Sequence, residues 1–193
     1  MTIARDILSS AVAAIIVALV LRVFVVGAFR IPSHSMEHTL QVGDQIVVSK
    51  IAFLLRDVRR GDVVVFTLSD DLPGVPSGQP LIKRVVAVGG DTVRMTATSL
   101  FVNGQRQPAP PQSAAHSPIR ISEDAFVQEV VVPAGHVYVL GDNRANSYDS
   151  RFWGPLHTDR IIGMPLFVYW SYGPDDANTE PHLRLGRFFA PVR

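Results

Sequence analysis

Two serines with a histidine between them, PSHSM at 32–36, and a lysine inside an apolar stretch, LIKRVVAV at 81–88, are the residues of this chain best suited to covalent chemistry. A serine hydroxyl is a poor nucleophile until a base takes its proton, and that base is an imidazole or a neutral amine. His34 adjoins Ser35, but neighbouring side chains of an extended segment point in different directions. Lys83 is the other candidate. An ordinary lysine is neutral only about 0.04% of the time at pH 7, a penalty of about 4.6 kcal/mol, so a lysine base has to be depressed by burial. Leu81, Ile82, Val85 and Val86 supply an apolar setting. On a strand, Lys83 and Arg84 face opposite sides, so one cation can meet the core while the other meets water. A solvated surface lysine is the plain alternative, and these residues alone leave both readings open.

Other chemistries lack their motifs. G-x-S-x-G, H-E-x-x-H, the Walker loop and G-x-G-x-x-G are all absent. GDNRANSYDS at 141–150 resembles a calcium loop only superficially, because Arg144 stands where a carboxylate is needed and no glutamate closes it. With no cysteine there is neither a disulfide framework nor a thiolate metal site. A formal net charge of +1 gives no basic face to hold nucleic acid.

The elements that must position these residues fall into two regions. Residues 7–29, ILSSAVAAIIVALVLRVFVVGAF, carry the single charge Arg22. As a helix they span about 35 Å, against roughly 30 Å of hydrocarbon in a bilayer. A membrane anchor over 1–29, with its helix at about 7–29, is expected in preference to a buried core helix. A cleavable leader fits less well, since the run is long and no small-x-small site closes it. Arg5 and Arg30 flank the run and give no charge asymmetry from which to read orientation.

Residues 30–193 read as one β-rich domain. QIVVSKIAF, DVVVFTL, LIKRVVAVGG, DTVRM, LFVNG, QEVVVP, HVYVLGD and MPLFVYW are short β-branched pieces separated by GD, GG, NG and PG turns. The expected class is mainly β, barrel-like or sandwich-like. DDLPGVPSGQP (70–80) reads as a long hairpin loop and 103–120 as an exposed, non-periodic segment. The tail RFFAPV is expected to pack on the barrel.

Four boxes in series, FRIPSHSMEHTL, VGDQIVVSK, IKRVVAVGGDTV and GDNRANSYDSRFWG, after an apolar N-terminus, resemble the bacterial type I signal peptidases. These are membrane-anchored serine proteases with a Ser-Lys dyad and a complex β fold, and the resemblance covers nearly the whole chain. It implies that Ser35 is the nucleophile and Lys83 its general base. Ser33 matches the hydroxyl that joins the backbone N–H of Ser35 in an oxyanion hole, and Ser147 the hydroxyl that orients the lysine. Asp149 and Arg151 match a supporting ion pair. Ile31, Met36, Leu40, Leu81 and Ile82 fall in the stretches that wall the shallow substrate pockets.

The resemblance further implies cleavage of signal peptides from translocated preproteins after small residues, with the peptide added as a strand to a sheet edge. It implies no metal or organic cofactor. The expected setting is the outer side of the plasma membrane, near the secretion translocon, with lipid contact through the N-terminal helix. One departure stands out: the family commonly has proline where this chain has His38. Two other functions are weighed: a Ser-Lys protease with another substrate, and an inactive tethered domain that binds exported peptides.

Overall fold

The β-branched stretches form strands because their alternate side chains face common interiors. The computed structural model describes residues 2–20, 22, 25–68, 78–96, 99–108, 128–175 and 179–193. Most of the 70–80 loop and of the 103–120 segment therefore lies outside the described residues. In chain order come α1 (Thr2–Val20), β1 (Val26–Arg30), β2 (Asp44–Ser49), α2 (Ala52–Leu55), β3 (Val63–Thr67) and β4 (Pro80–Val88). β5 (Thr92–Met95), β6 (Leu100–Val102), β7 (Gln105–Arg106), β8 (Gln128–Val131) and β9 (His136–Leu140) follow. The chain continues through α3 (Ser150–Trp153), β10 (Leu156–His157), β11 (Ile161–Gly173) and β12 (His182–Leu183). The expected mainly β class is what these elements make.

The helix expected over 7–29 takes different bounds. α1 stops at Val20, and Val26–Arg30 pairs antiparallel with β2, from Val26 opposite Ser49 to Arg30 opposite Gln45. The reason lies in VVGAF: β-branched residues and a glycine are weak helix formers, and β2 offers an open edge for their amides. Among the described residues, no helix is long and apolar enough to cross a membrane.

The main sheet runs β1-β2-β11-β3-β4-β9-β10, with β12 also on β11. A second sheet runs β7-β6-β5-β8. β2 and β3 never pair directly. The 13-residue β11 lies between them, holding β3 through Ile161–Gly163 and β2 through Met164–Ser171. Ile31, Met36, Leu40, Ile46, Val65 and Val168 belong to the core cluster of this half of the sheet. Asp44, fully buried, accepts from Ser171 Oγ at 2.7 Å and from the Arg187 guanidinium. That ion pair fastens the C-terminal tail to β2. The tail packs as expected: Val192 N donates to Leu166 O at 3.0 Å, and the Phe188 and Trp170 rings lie 5.6 Å apart.

At the crossover, a Cβ on Gly163 would collide with the Ser49 carbonyl, which the β2-β11 pairing brings hard against it. Gly163→Ala is expected to destabilise the fold by roughly 3 kcal/mol, read as a lower urea midpoint with an unchanged m-value.

Candidate active site

Pro32 ends the sheet register after β1, since the last ladder-like bond is Ile31 N to Asp44 O at 2.9 Å and proline has no N–H to offer. The chain then makes a single 3-10 turn over His34–Met36. Met36 drops into the core with no exposure, and it draws Ser35 before it down to 7%. His34 is left facing solvent. Asn143 N donates to Ser35 O at 3.1 Å, tying the turn to the segment after β9.

Lys83 arrives from the other half of the sheet. On β4 it stands opposite Val64 of β3, and its neighbour Arg84 stands opposite Leu140 of β9. Strand alternation sends the two cations apart as expected, but Arg84 does not meet water, its side chain being only 11% exposed. Lys83 is 3% exposed, and its Nζ donates to Ser35 Oγ at 2.7 Å. Arg84 turns away to grip the buried Asp142 with two bonds of 2.8 and 2.7 Å. Thr39 Oγ1 donates to the same carboxylate at 2.6 Å, so the stretch after Ser35 and the strand of Lys83 share one anchor.

Burial pushes the Lys83 amine down from 10.5 to about 8, and Arg151 adds to that. Asp149 and Asp142 pull the other way and lose to desolvation. At pH 7 about a tenth of such a lysine is neutral, against a few parts in ten thousand for an ordinary one. The penalty is not removed but built into the fold: keeping the amine charged in the native state costs roughly 3 kcal/mol.

Asp149 is fully buried and accepts from Arg151 Nε at 2.7 Å and Nη2 at 2.9 Å, a two-pronged ion pair. It also accepts from Gly141 N at 3.0 Å. Arg151 Nη2 reaches Ser147 O at 3.1 Å. The pair thereby fixes the 141–151 segment behind Ser35 and Lys83. Gly141 must be glycine, because a Cβ there would strike both Ser147 Oγ and the Ser35 carbonyl. The hydroxyls expected to assist are placed differently. Ser33 Oγ lies 3.3 Å from Ser35 Oγ, beside the nucleophile. Ser147 Oγ is buried and forms no hydrogen bond, to Lys83 or otherwise.

The five residues matched to pocket walls divide. Ile31, Leu81 and Ile82 line a cleft of about 130 Å³, together with Phe29, Ile46 and Val65. Met36 and Leu40 do not line it; both are wholly inside the core. Sequence reasoning missed Gly141, Asp142, Asn143, Thr39 and Arg84 as parts of the site. The signal available for three of them was GDN, a polar triplet set directly after the buried strand HVYVL.

His34 does not touch Ser35 in this arrangement. Its Nδ1 lies 3.3 Å from Glu37 Oε1, and its side chain is 58% exposed. The hydroxyl that lies next to a depressed, buried amine is Ser35, an arrangement suited to nucleophilic acyl transfer.

Comparison with known proteins agrees. The family described as signal peptidase, peptidase S26, matches residues 4–170. The chain belongs to that family. It is 36% identical over 178 residues to a probable signal peptidase I-2 of Synechocystis sp., covering 88% of this chain and 77% of that protein. It is 39% identical over 158 residues to signal peptidase I of Leptolyngbya laminosa, covering 81% and 74%. Signal peptidase I of Pseudomonas aeruginosa is 36% identical over 218 residues, covering 88% and 74%. A crystal structure of a signal peptidase I from Enterococcus faecalis aligns with a TM-score of 0.44 and 26% identity, covering 56% of this chain and 97% of that one. As a member of the family, the chain is a serine endopeptidase.

His38 gains a physical meaning here. Glu37 has φ −53° and ψ 146°, and His38 has φ 80°, with Thr39 N donating to Met36 O at 3.1 Å: a type II turn. Proline, common in the family at this position, has φ near −65° and cannot occupy this conformation. His38→Gly is expected to stabilise the protein by up to about 1 kcal/mol and His38→Pro to destabilise it, measured by thermal melting.

Lys83 gives a second expectation. Between pH 8 and 10.5 the unfolded chain holds the lysine proton and the native one does not, so stability rises with pH across that window. Below pH 8 the cost of the buried charge is fully present. Lys83→Met is expected to raise the unfolding free energy at pH 7 by roughly 1–3 kcal/mol and to flatten the alkaline rise, both measured by urea titration across pH.

Proposed function

We propose that this signal peptidase works by acyl transfer on Ser35, with Lys83 as the general base. As a family member it removes signal peptides from exported preproteins, and the observation that supports this reaction at the site is the 2.7 Å contact between a buried, depressed amine and Ser35 Oγ. With Lys83 neutral, the hydroxyl proton passes to Nζ as Oγ attacks the scissile carbonyl. The lysine returns that proton to the leaving amine, and water hydrolyses the acyl-enzyme with the same base. The backbone N–H of Ser35 and the Ser33 hydroxyl face the carbonyl oxygen as it gains charge, where one lost donor costs about 3 to 4 kcal/mol. Asp149 and Arg151 hold the segment behind the dyad. Ser147, whose buried hydroxyl has no hydrogen-bond partner among the described residues, is the hydroxyl that orients the Lys83 amine.

Substrate lies along the cleft between the end of β1 and the start of β4. Its backbone extends the sheet, and Ile31, Leu81 and Ile82 leave room only for small side chains near the scissile bond. The N-terminal apolar segment before β1 tethers the domain to the plasma membrane, with the catalytic domain on the outer side, where translocated preproteins emerge. Support for the tether is the apolar run itself and the exposure of Val12, Ile15, Ile16, Val17 and Leu19 on α1.

Cleavage of a preprotein with an Ala-x-Ala site is the test. Ser35→Ala and Lys83→Ala are expected to lower kcat/KM by about 10³-fold or more, whereas His34→Ala leaves it unchanged. The wild-type rate is expected to rise with pH to a plateau above about 8, following the neutral lysine. Full activity in the lysine variant, or its loss only in the His34 variant, would remove the dyad assignment.

A further inference from the structure

The segment behind the dyad presents two aromatic rings to solvent. In SYDSRFW, residues 147–153, the side chains divide between inside and outside. Asp149 and Ser150 are buried: Asp149 caps α3 by accepting from Arg151 N, and Ser150 Oγ accepts from Val139 N at 3.0 Å. Trp153 turns inward, its ring 5.9 Å from that of Phe66. Tyr148 and Phe152, four residues apart, are left on the outer face and stack at 5.1 Å with their planes 26° apart. They stay 41% and 58% exposed. Arg151 lies 5.7 Å over the Phe152 ring while its guanidinium holds Asp149. The ion pair that stiffens the site therefore also stiffens the rings.

Their place relative to the cleft follows from the sheet. The cleft is lined from β1, β2, β3 and the start of β4, whereas residues 141–152 continue β9, which runs along the other edge of β4. Ser35 and Lys83 lie between the two. Ser147 Oγ and the Ser35 carbonyl crowd the same side of Gly141, and Tyr148 is the next residue after Ser147. A chain laid in the cleft and cut at Ser35 thus continues toward Tyr148 and Phe152. Two extended residues cover about 7 Å, enough to carry a side chain from the scissile bond onto the rings.

We propose that the Tyr148–Phe152 pair is a binding subsite for the leaving side of the substrate, favouring a large apolar or aromatic side chain at one of the first two positions past the scissile bond. This rests on the acyl-transfer reading of Ser35 and Lys83. The cleft before the bond selects small side chains, and the rings after it reward large ones. A preformed aromatic face on a fixed turn costs little to order when substrate arrives. Because the contact is made with the leaving segment, it acts on formation of the acyl-enzyme and departs with the product before water hydrolyses it.

The test uses the full chain in detergent micelles and two pairs of peptides sharing one Ala-x-Ala site. One pair differs only in Ala or Phe at the first position past the bond, the other only at the second. Phe is expected to raise kcat/KM over Ala by about threefold to tenfold in one of the pairs. In Tyr148→Ala and in Phe152→Ala that ratio is expected to fall to about one, and in Tyr148→Phe, which keeps the ring, to persist. The ratio is read within each protein, so damage to the fold or to the dyad lowers both rates alike and does not move it. A ratio of one in the wild type for both pairs would overturn the subsite and leave the dyad standing. A preference that survived both alanine variants would lie elsewhere on the surface and would also overturn it. Full activity in Lys83→Ala, by contrast, would remove the dyad without touching the ratio.

Discussion

The whole active region depends on holding an amine in a place where its charge is unwelcome. For the proposed dyad, Lys83 has to be buried deeply enough to lose its proton near neutrality, yet its Nζ has to reach a hydroxyl that substrate can also reach. A strand interior satisfies the first condition, because β4 lies between β3 and β9 and Lys83 on it is only 3% exposed. The second is satisfied by bringing Ser35 to it on a short turn whose neighbour, Met36, is anchored in the core. The electrostatic partners are balanced against this end: Asp149 would restore the charge, and its two-pronged pairing with Arg151 limits how far it does so.

The remaining polar network keeps these parts in register. Asp142 collects Arg84 from the lysine's strand and Thr39 from the chain after the nucleophile. Gly141 lets Ser147 and the Ser35 carbonyl approach its backbone from the same side. None of these groups needs to touch substrate. Each removes a degree of freedom from the 2.7 Å contact.

Much of this was legible in the chain. PSHSM and the apolar surroundings of Lys83 state the chemical problem, and alternation along β4 correctly separated Lys83 from Arg84. The N-terminal run was harder, because apolar length is shared by a lipid-facing helix and a sheet-bound strand. VGAFR became β1 only because β2, some twenty residues on, had an unfilled edge. Pocket walls were partly hidden for a related reason: Met36 and Ile31 both belong to the core, and only packing shows that Ile31 also reaches the cleft while Met36 does not. The conformation at His38 was invisible, since nothing in MEHTL announces a residue with positive φ.

β11 carries an implication about order in time. Ser35 hangs from β1 and β2, Lys83 from β3 and β4, and no strand pairing joins those two hairpins until β11 lies between them. Residues 161–173 are made long after both. Closing such distant pairings is the slow part of folding a β protein. A growing chain therefore carries Ser35 and Lys83 well before it carries the strand that joins their two hairpins into one sheet.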